Sequence, residues 1–364
     1  MRIAEVAPLY ESVPPKLYGG TERVVSYLTE ELVNQGHDVT LFASGDSITK
    51  AKLVSNVEQS LRLFGKCQDH LAYHVIQLQN LADKADEFDV IHFHNDYIHF
   101  PVSNYFNAPF VTTLHGRLDL PELQYIYNKF PGQPVISISD NQRKPLPQAN
   151  WLGTVYHGLL PDLLNLQNGK KNYFAFLGRI SPEKGVDKAI EIAKAAQIKI
   201  KIAAKVDEAD KEYFKNNIEK LLDDPLVEFI GEINENQKQT FLGNALALLF
   251  PINWPEPFGM VMIEAMACGT PVIAFNYGSV PEVIDDGKSG FIVNSVEEAI
   301  NAVNRLHLLS AKQVRKCFEE RFTSKRMADD YLNIFREMIN VGKRKKTIYM
   351  NESIFIKGQK TISK

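Results

Sequence analysis

Two cations and two carboxylates are the side chains best placed for chemistry, and both pairs follow short apolar runs. Arg179 and Lys184 lie in GRISPEKG, directly after YFAFL. At the carboxyl end of a strand they would point into a cleft, where a fork-shaped guanidinium and a compact ammonium suit a diphosphate. The competing use of these cations is surface pairing with Glu183 or Asp187. Glu256 and Glu264 lie in PINWPEPFGMVMIEAMACGTPVIAF, with seven residues between them. The text reads as a strand end, a Pro-rich loop, and a helix led in by Phe258 and Gly259. Glu264 sits among Val261, Met262, Ile263, Ala265 and Met266. An unpaired carboxylate there is costly, so it needs a partner such as ribose hydroxyls or a backbone amide. The plainer readings are a solvated loop carboxylate for Glu256 and a structural helix bond for Glu264. Gly19, Gly20 and Thr21 form a third turn, between a strand and a helix. There backbone amides hold phosphate when no side chain blocks its approach, or the pair is simply a turn.

These turns need elements to hold them. Short Val-, Ile- and Phe-rich runs alternate with segments of helical period, which predicts parallel sheets with helices on both faces. The first set of strands is expected at 3–7, 38–43, 90–93, 110–114, 135–138 and 154–156. The second set is expected at 173–177, 198–203, 227–230, 245–250, 271–275 and 291–293. Between the first two strands, Val24, Val25, Leu28, Leu32 and Val33 make one apolar stripe, with Thr21 as N-cap and Gly36 past the C-terminus. The polar stretch 166–172 reads as a linker. Two doubly wound domains facing each other leave a cleft between them, where ligands of such folds bind.

Composition narrows the class. At 364 residues, with 45% hydrophobic and 23% charged residues, the chain is long enough for two ordinary globular domains. A net charge of −3 gives no reason to expect nucleic acid. MRIAEVAP reads as a buried strand rather than a signal peptide, and no run of about 18 apolar residues offers a membrane span. Cys67, Cys268 and Cys317 form no CxxC pair, so a cytoplasmic location suits them. Residues 342–364 carry seven basic residues and one acidic one. They read as a solvated tail, or as peripheral contact with an anionic inner membrane face through Lys343, Arg344, Lys345 and Lys346.

EPFGMVMIE followed by AMACGTPVIAFNYGSVPEVIDDGKSGFIV resembles the signature of the family 4 retaining glycosyltransferases of GT-B architecture. LYGGTERVVSYLTEELVNQGHDVTLFA is similar to that family's amino-terminal loop and helix, TLHG to its active-site histidine segment, and GRISPEKG to its phosphate-binding loop. The order is the family's over about residues 1–331. The resemblance implies an α/β chain of two Rossmann-like domains: residues 1–165 for the acceptor, and 170–323 for the nucleotide sugar. A final helix at about 324–341 crosses back to the first. It implies a hexosyltransferase using a UDP- or GDP-sugar as co-substrate, with a saccharide or lipid-linked acceptor.

Residue by residue, it implies that Gly19 and Gly20 offer backbone to the donor phosphates, and that Arg179 and Lys184 neutralise them. Glu264 would hold the ribose, Glu256 would contact the sugar, and Phe258, Gly259 and Met260 would give amides to its hydroxyls. Ile230 completes the nucleotide-binding set, and His115 lies beside the sugar. A His-Gly after a strand is otherwise a packed or capped histidine. No Asp-x-Asp motif is convincing, so neither metal nor cofactor is expected. His92, His94, Asp96 and His99 form the one group whose spacing would also suit a metal. His157 stands where family members carry Asn before the glycine of the interdomain crossing. A related epimerase or hydrolase, or a binding protein without turnover, is the alternative.

Overall fold

A computed structural model describes residues 1–16, 19–65, 67–167 and 171–341. The tail at 342–364 and the centre of the 166–172 linker lie outside the described residues. Two open sheets, parallel in every pairing, organise the chain. The first contains β1 (Arg2–Val6), β2 (Asp38–Phe42), β3 (Lys52–Val54), β4 (Val90–Phe93), β5 (Phe110–Thr113), β6 (Pro134–Ser137) and β7 (Asn150–Thr154), in the order β3-β2-β1-β4-β5-β6-β7. The second contains β8 (Tyr173–Arg179), β9 (Lys199–Lys205), β10 (Val227–Gly231), β11 (Ala245–Phe250), β12 (Val272–Phe275) and β13 (Gly290–Val293), in the order β10-β9-β8-β11-β12-β13. Both are doubly wound, as the alternating pattern predicts. In each sheet the strand order reverses once, between β1 and β4 and between β8 and β11. The loops leaving those four strands therefore open on the crevice where such sheets take ligands.

The helix Gly20–Asn34 buries Val24, Val25, Leu28 and Leu32 against the first sheet. It starts two residues earlier than an N-cap at Thr21 predicts: Gly19 is the N-cap, and no side chain among the described residues caps the helix. Gly36 takes the left-handed conformation (φ +83°) that ends it. Two strands differ from the sequence reading. β3 was not expected, and the last strand of the first sheet lies at 150–154 rather than 154–156. Both are edge strands, half-exposed, so neither shows a continuous apolar run.

A helix over 324–341 packs Met327, Ala328, Tyr331, Leu332 and Phe335 into one core cluster with Ile3, Val90, Leu248 and Phe258. One apolar cluster thus joins both sheets. Arg326 donates to the carbonyls of Tyr156 (2.7 Å) and His157 (2.9 Å), fixing the helix to the chain crossing. Gly158 follows; a Cβ there would lie 2.3 Å from the Thr323 carbonyl oxygen, so only glycine lets the two crossings touch. Among the described residues no helix is long and apolar enough to cross a membrane.

Candidate active site

Arg179 ends β8, and Lys184 lies in the short turn after it. Gly185 closes that turn at φ +69°, where a Cβ would come 2.2 Å from the carbonyl oxygen of Pro251. Glycine therefore lets the β8 loop rest on the end of β11, and Asn253 N–H donates to the Glu183 carbonyl at 3.1 Å. This contact delivers Lys184 to Glu256, with which it forms an ion pair. Trp254 joins them: its Nε1 donates to Glu256 Oε2 at 3.0 Å, and the Lys184 ammonium lies 4.9 Å from its ring centre. Gly278 (φ +57°) backs the Glu256 loop so closely that a Cβ would meet Glu256 N at 2.3 Å. Arg179 lies 3.3 Å from Glu183, 3.5 Å from Asp207 and 3.8 Å from Asp210. The surface pairing with Glu183 foreseen as the plain reading is thus present, and Arg179 also lines the cleft.

Glu264 sits in the helix Met260–Ala267, which begins after Gly259 at φ +77°. It is buried, and its partner is Lys238, whose Nζ donates to Oε1 at 2.6 Å. Lys238 also lies 3.4 Å from Glu235, which forms an ion pair with Arg23 on the first sheet's opening helix. On the other flank Glu282 accepts backbone N–H groups from Asp140 (2.7 Å) and Asn141 (2.8 Å). Charged ties on two sides thus hold the halves together around the cleft.

Opposite these loops, Gly19 and Gly20 leave β1, and Asn95 and Asp96 leave β4. His115 follows β5. Its Nε2 lies 2.9 Å from His94 Nδ1, and its ring stacks on His157 at 5.3 Å between centres. His157 in turn meets Phe258 edge-on at 4.8 Å. His94 Nε2 is 2.7 Å from Glu5, a carboxylate in the middle of β1 with no solvent exposure. Burial pushes the Glu5 carboxyl up, but His92 and His94 outweigh it and hold it down at about 2. Burial and the neighbouring His92 push His94 down to about 4, and burial puts His115 well below its ordinary value.

The spacing that suggested a metal resolves into separate groups. His99 turns into the core and stacks on Phe93 at 3.6 Å, Asp96 lines the cleft, and Glu5, His92 and His94 bring ligating atoms within 4.8 Å of one another.

The cleft holds about 710 Å³ and is lined from both sheets. Gly19, Gly20, His115, Arg179, Lys184, Glu256, Phe258, Gly259, Met260 and Glu264 all face it. Ile230 is not among the lining residues. The pairing of β10 with β9 shifts between Phe229 and Gly231, and Gly231 turns at φ +72°. Ile230 is left on the outer edge, 38% exposed, while Glu232 and Ile233 line the cleft. Sequence reasoning also missed Trp254, Lys238 and Arg23. Trp254 carried a signal, an indole in a Pro-rich loop two residues before Glu256. Lys238 and Arg23 carried none, being cations on ordinary helical faces.

Two family models match: Glycosyltransferase Family 4 over residues 18–147, and Glycosyl transferases group 1 over 165–321. N-acetyl-alpha-D-glucosaminyl L-malate synthase of Bacillus anthracis is 24% identical, covering 90% of this chain and 96% of its own. AviGT4, a glycosyltransferase involved in avilamycin A biosynthesis, superposes with a TM-score of 0.75 at 23% identity, covering 93% of this chain and 98% of its own. Anabaena HepE, solved in complex with UDP and glucose, superposes with a TM-score of 0.70 at 20% identity, over 93% of this chain and all of its own. With two domain models in the expected order and a matching two-sheet fold, the chain belongs to the family 4 glycosyltransferases of GT-B architecture and is a glycosyltransferase.

Proposed function

We propose that the chain is a retaining, metal-independent transferase that moves a hexose from a UDP- or GDP-sugar to a saccharide or lipid-linked acceptor. One observation carries this reading: Arg179, Lys184, Glu256 and Glu264 from the second sheet and Gly19, Gly20 and His115 from the first line one cleft. Breaking the anomeric bond leaves negative charge on the departing diphosphate and positive charge on the sugar. Arg179 and Lys184 stabilise the first, and Glu256 stands beside the second. The cations thereby take the part a divalent metal plays elsewhere. Retention follows if departure and attack use the same face of the sugar. The UDP bound in HepE supports a uridine donor. The acceptor enters from the first sheet's side, and the tail at 342–364 gives peripheral contact with an anionic membrane on the cytoplasmic side.

A thermal-shift panel of UDP, GDP and their sugars tests the donor class. One nucleotide at 100 times its Kd is expected to stabilise the protein by about 2.7 kcal/mol, and no shift with any of them overturns the reading.

Glu264→Gln separates the ribose role from a structural one. The change removes charge-assisted hydrogen bonds worth about 1.5–3 kcal/mol, so the donor KM should rise on the order of 10- to 100-fold with kcat little changed. Affinity for inorganic pyrophosphate, which has no ribose, should hold. Equal weakening of both ligands would assign Glu264 to packing instead.

A further inference from the structure

Glu5 is an ionisable side chain inside a central strand, and a buried carboxylate must be accounted for by its partners. Among the described residues it has two, His94 Nε2 at 2.7 Å and His92 Nδ1 at 3.1–3.2 Å. These are hydrogen-bond lengths. Tetrahedral zinc, with bonds of about 2.0–2.2 Å to nitrogen and oxygen, would spread its ligand atoms to roughly 3.3 Å and require a fourth ligand. The cluster is therefore a hydrogen-bonded one, and its protons can be placed.

An ionised carboxylate only accepts, so His94 must carry its proton on Nε2 and donate it to Glu5. A neutral imidazole has one proton, which leaves His94 Nδ1 as a lone pair. His115 Nε2, 2.9 Å away, must then be the donor, and His115 Nδ1 is left without a proton. That atom is buried and has no hydrogen-bond partner among the described residues, in a residue that lines the cleft. A second branch leaves Glu5 through His92. Thr113 Oγ1 lies 2.7 Å from His92 Nε2 and 3.0 Å from the Tyr331 hydroxyl on the returning helix, so the carboxylate is braced from both sides.

We propose that Glu5 and His94 are positioning residues: they fix the ring and tautomer of His115 so that its Nδ1 accepts a hydroxyl of the sugar in the cleft. This rests on the transferase reading and adds to it a fixed direction of hydrogen bonding. The cleft wall at His115 offers an acceptor and takes a donor hydroxyl. Neither Glu5 nor His94 touches substrate.

The test uses the full chain labelled with ¹⁵N-histidine. Ring nitrogen-to-proton coupling patterns at neutral pH should show Nε2–H with a bare Nδ1 for both His94 and His115, assigned with the His94→Asn and His115→Asn variants. Nδ1–H on His115 in the unmodified protein overturns the proposal, as does a stoichiometric metal in the same preparation.

Turnover gives a second readout. Glu5→Gln keeps the shape but can donate to His94, reversing the chain, and should lower kcat about tenfold or more with donor KM within about threefold. Glu5→Asp is the poorer fit but keeps the carboxylate, and should retain more kcat than Glu5→Gln. A purely structural role predicts the opposite order, and that order would overturn the proposal. Should the variants fail to fold, the tautomers of the unmodified protein decide alone. Failure of the unmodified protein to bind any nucleotide would sink the donor reading, while the tautomer measurement still stands or falls by itself.

Discussion

Neutralising Arg179 and Lys184 together, as Arg179→Gln with Lys184→Met, should lower kcat/KM on the order of 10⁴-fold or more. Removing a single preorganised donor to developing negative charge typically costs about 10²- to 10³-fold, and two cations act on the same departing diphosphate. Both have protein partners without ligand, Glu256 for Lys184 and three carboxylates for Arg179. The carboxylates around Arg179 are all partly exposed, with 16% to 36% of their side-chain surface open, and such pairs are worth only about 0–1 kcal/mol. On the proposed function, a diphosphate with several charged oxygens would displace them, and the guanidinium would grip it in bidentate fashion.

Lys184→Met alone changes two things, since Glu256 loses its ammonium and keeps, among the described residues, only the Trp254 N–H. Adding Glu256→Gln removes that stranded charge. A recovery of nucleotide affinity in this second variant, without recovery of turnover, would assign Lys184 to holding charge balance and Glu256 to the sugar. The measurement is steady-state kinetics with the donor found by the thermal-shift panel. A double Arg179/Lys184 variant within tenfold of the unmodified enzyme would remove the electrostatic basis of the proposed mechanism.

Much of this site can be read from the sequence because its loops belong to strands with strong apolar text. YFAFL and ALALLF are buried runs, so the turns after them stand out, and the order of strands then brings those turns to one crevice. Edges are read less well. β3 and β7 are half-exposed, and the turn at Gly231 that leaves Ile230 on the outer edge is not visible in an apolar run.

Partnerships across the chain were not legible at all. Glu5 and His94 are separated by 89 residues and meet only because β1 and β4 are neighbours in the sheet. In the sequence Glu5 is one polar letter inside an apolar strand, and the two histidines suggested a metal because alternation puts them on one face. The same holds for Lys238 and Glu264: the carboxylate clearly needed a partner, but no spacing rule names a lysine on a different helix.

Acid should unfold this protein steeply, and the cause is the number of histidines buried without charge. Burial, the largest cause in each case, pushes His94 down to about 4 and His99 and His157 to about 3, and puts His115 well below 6.5. In the unfolded chain all four titrate near 6.5. Each folded-state value is depressed, so the stabilisation of the neutral form is complete above about pH 6.5 and is lost as pH falls toward 4, while the unfolded chain takes up the protons. Every such group contributes about 1.4 kcal/mol per pH unit in that window. Four acting together give a slope of about 5 kcal/mol per pH unit, against a total stability of about 5–15 kcal/mol for a typical domain.

Glu5 works in the same direction at lower pH. Its folded value of about 2 lies below that of an unfolded glutamate, so its contribution is full above about 4.3 and fades as pH drops to 2. Denaturant titrations from pH 8 to 5 should therefore show a plateau above 7 and a fall of several kcal/mol before pH 5 is reached. A flat profile down to pH 5.5 would mean that these rings take protons in the folded state. The single tautomer chain from Glu5 to His115 would then break down as pH falls below about 6.5, because a protonated His94 cannot accept from its neighbour.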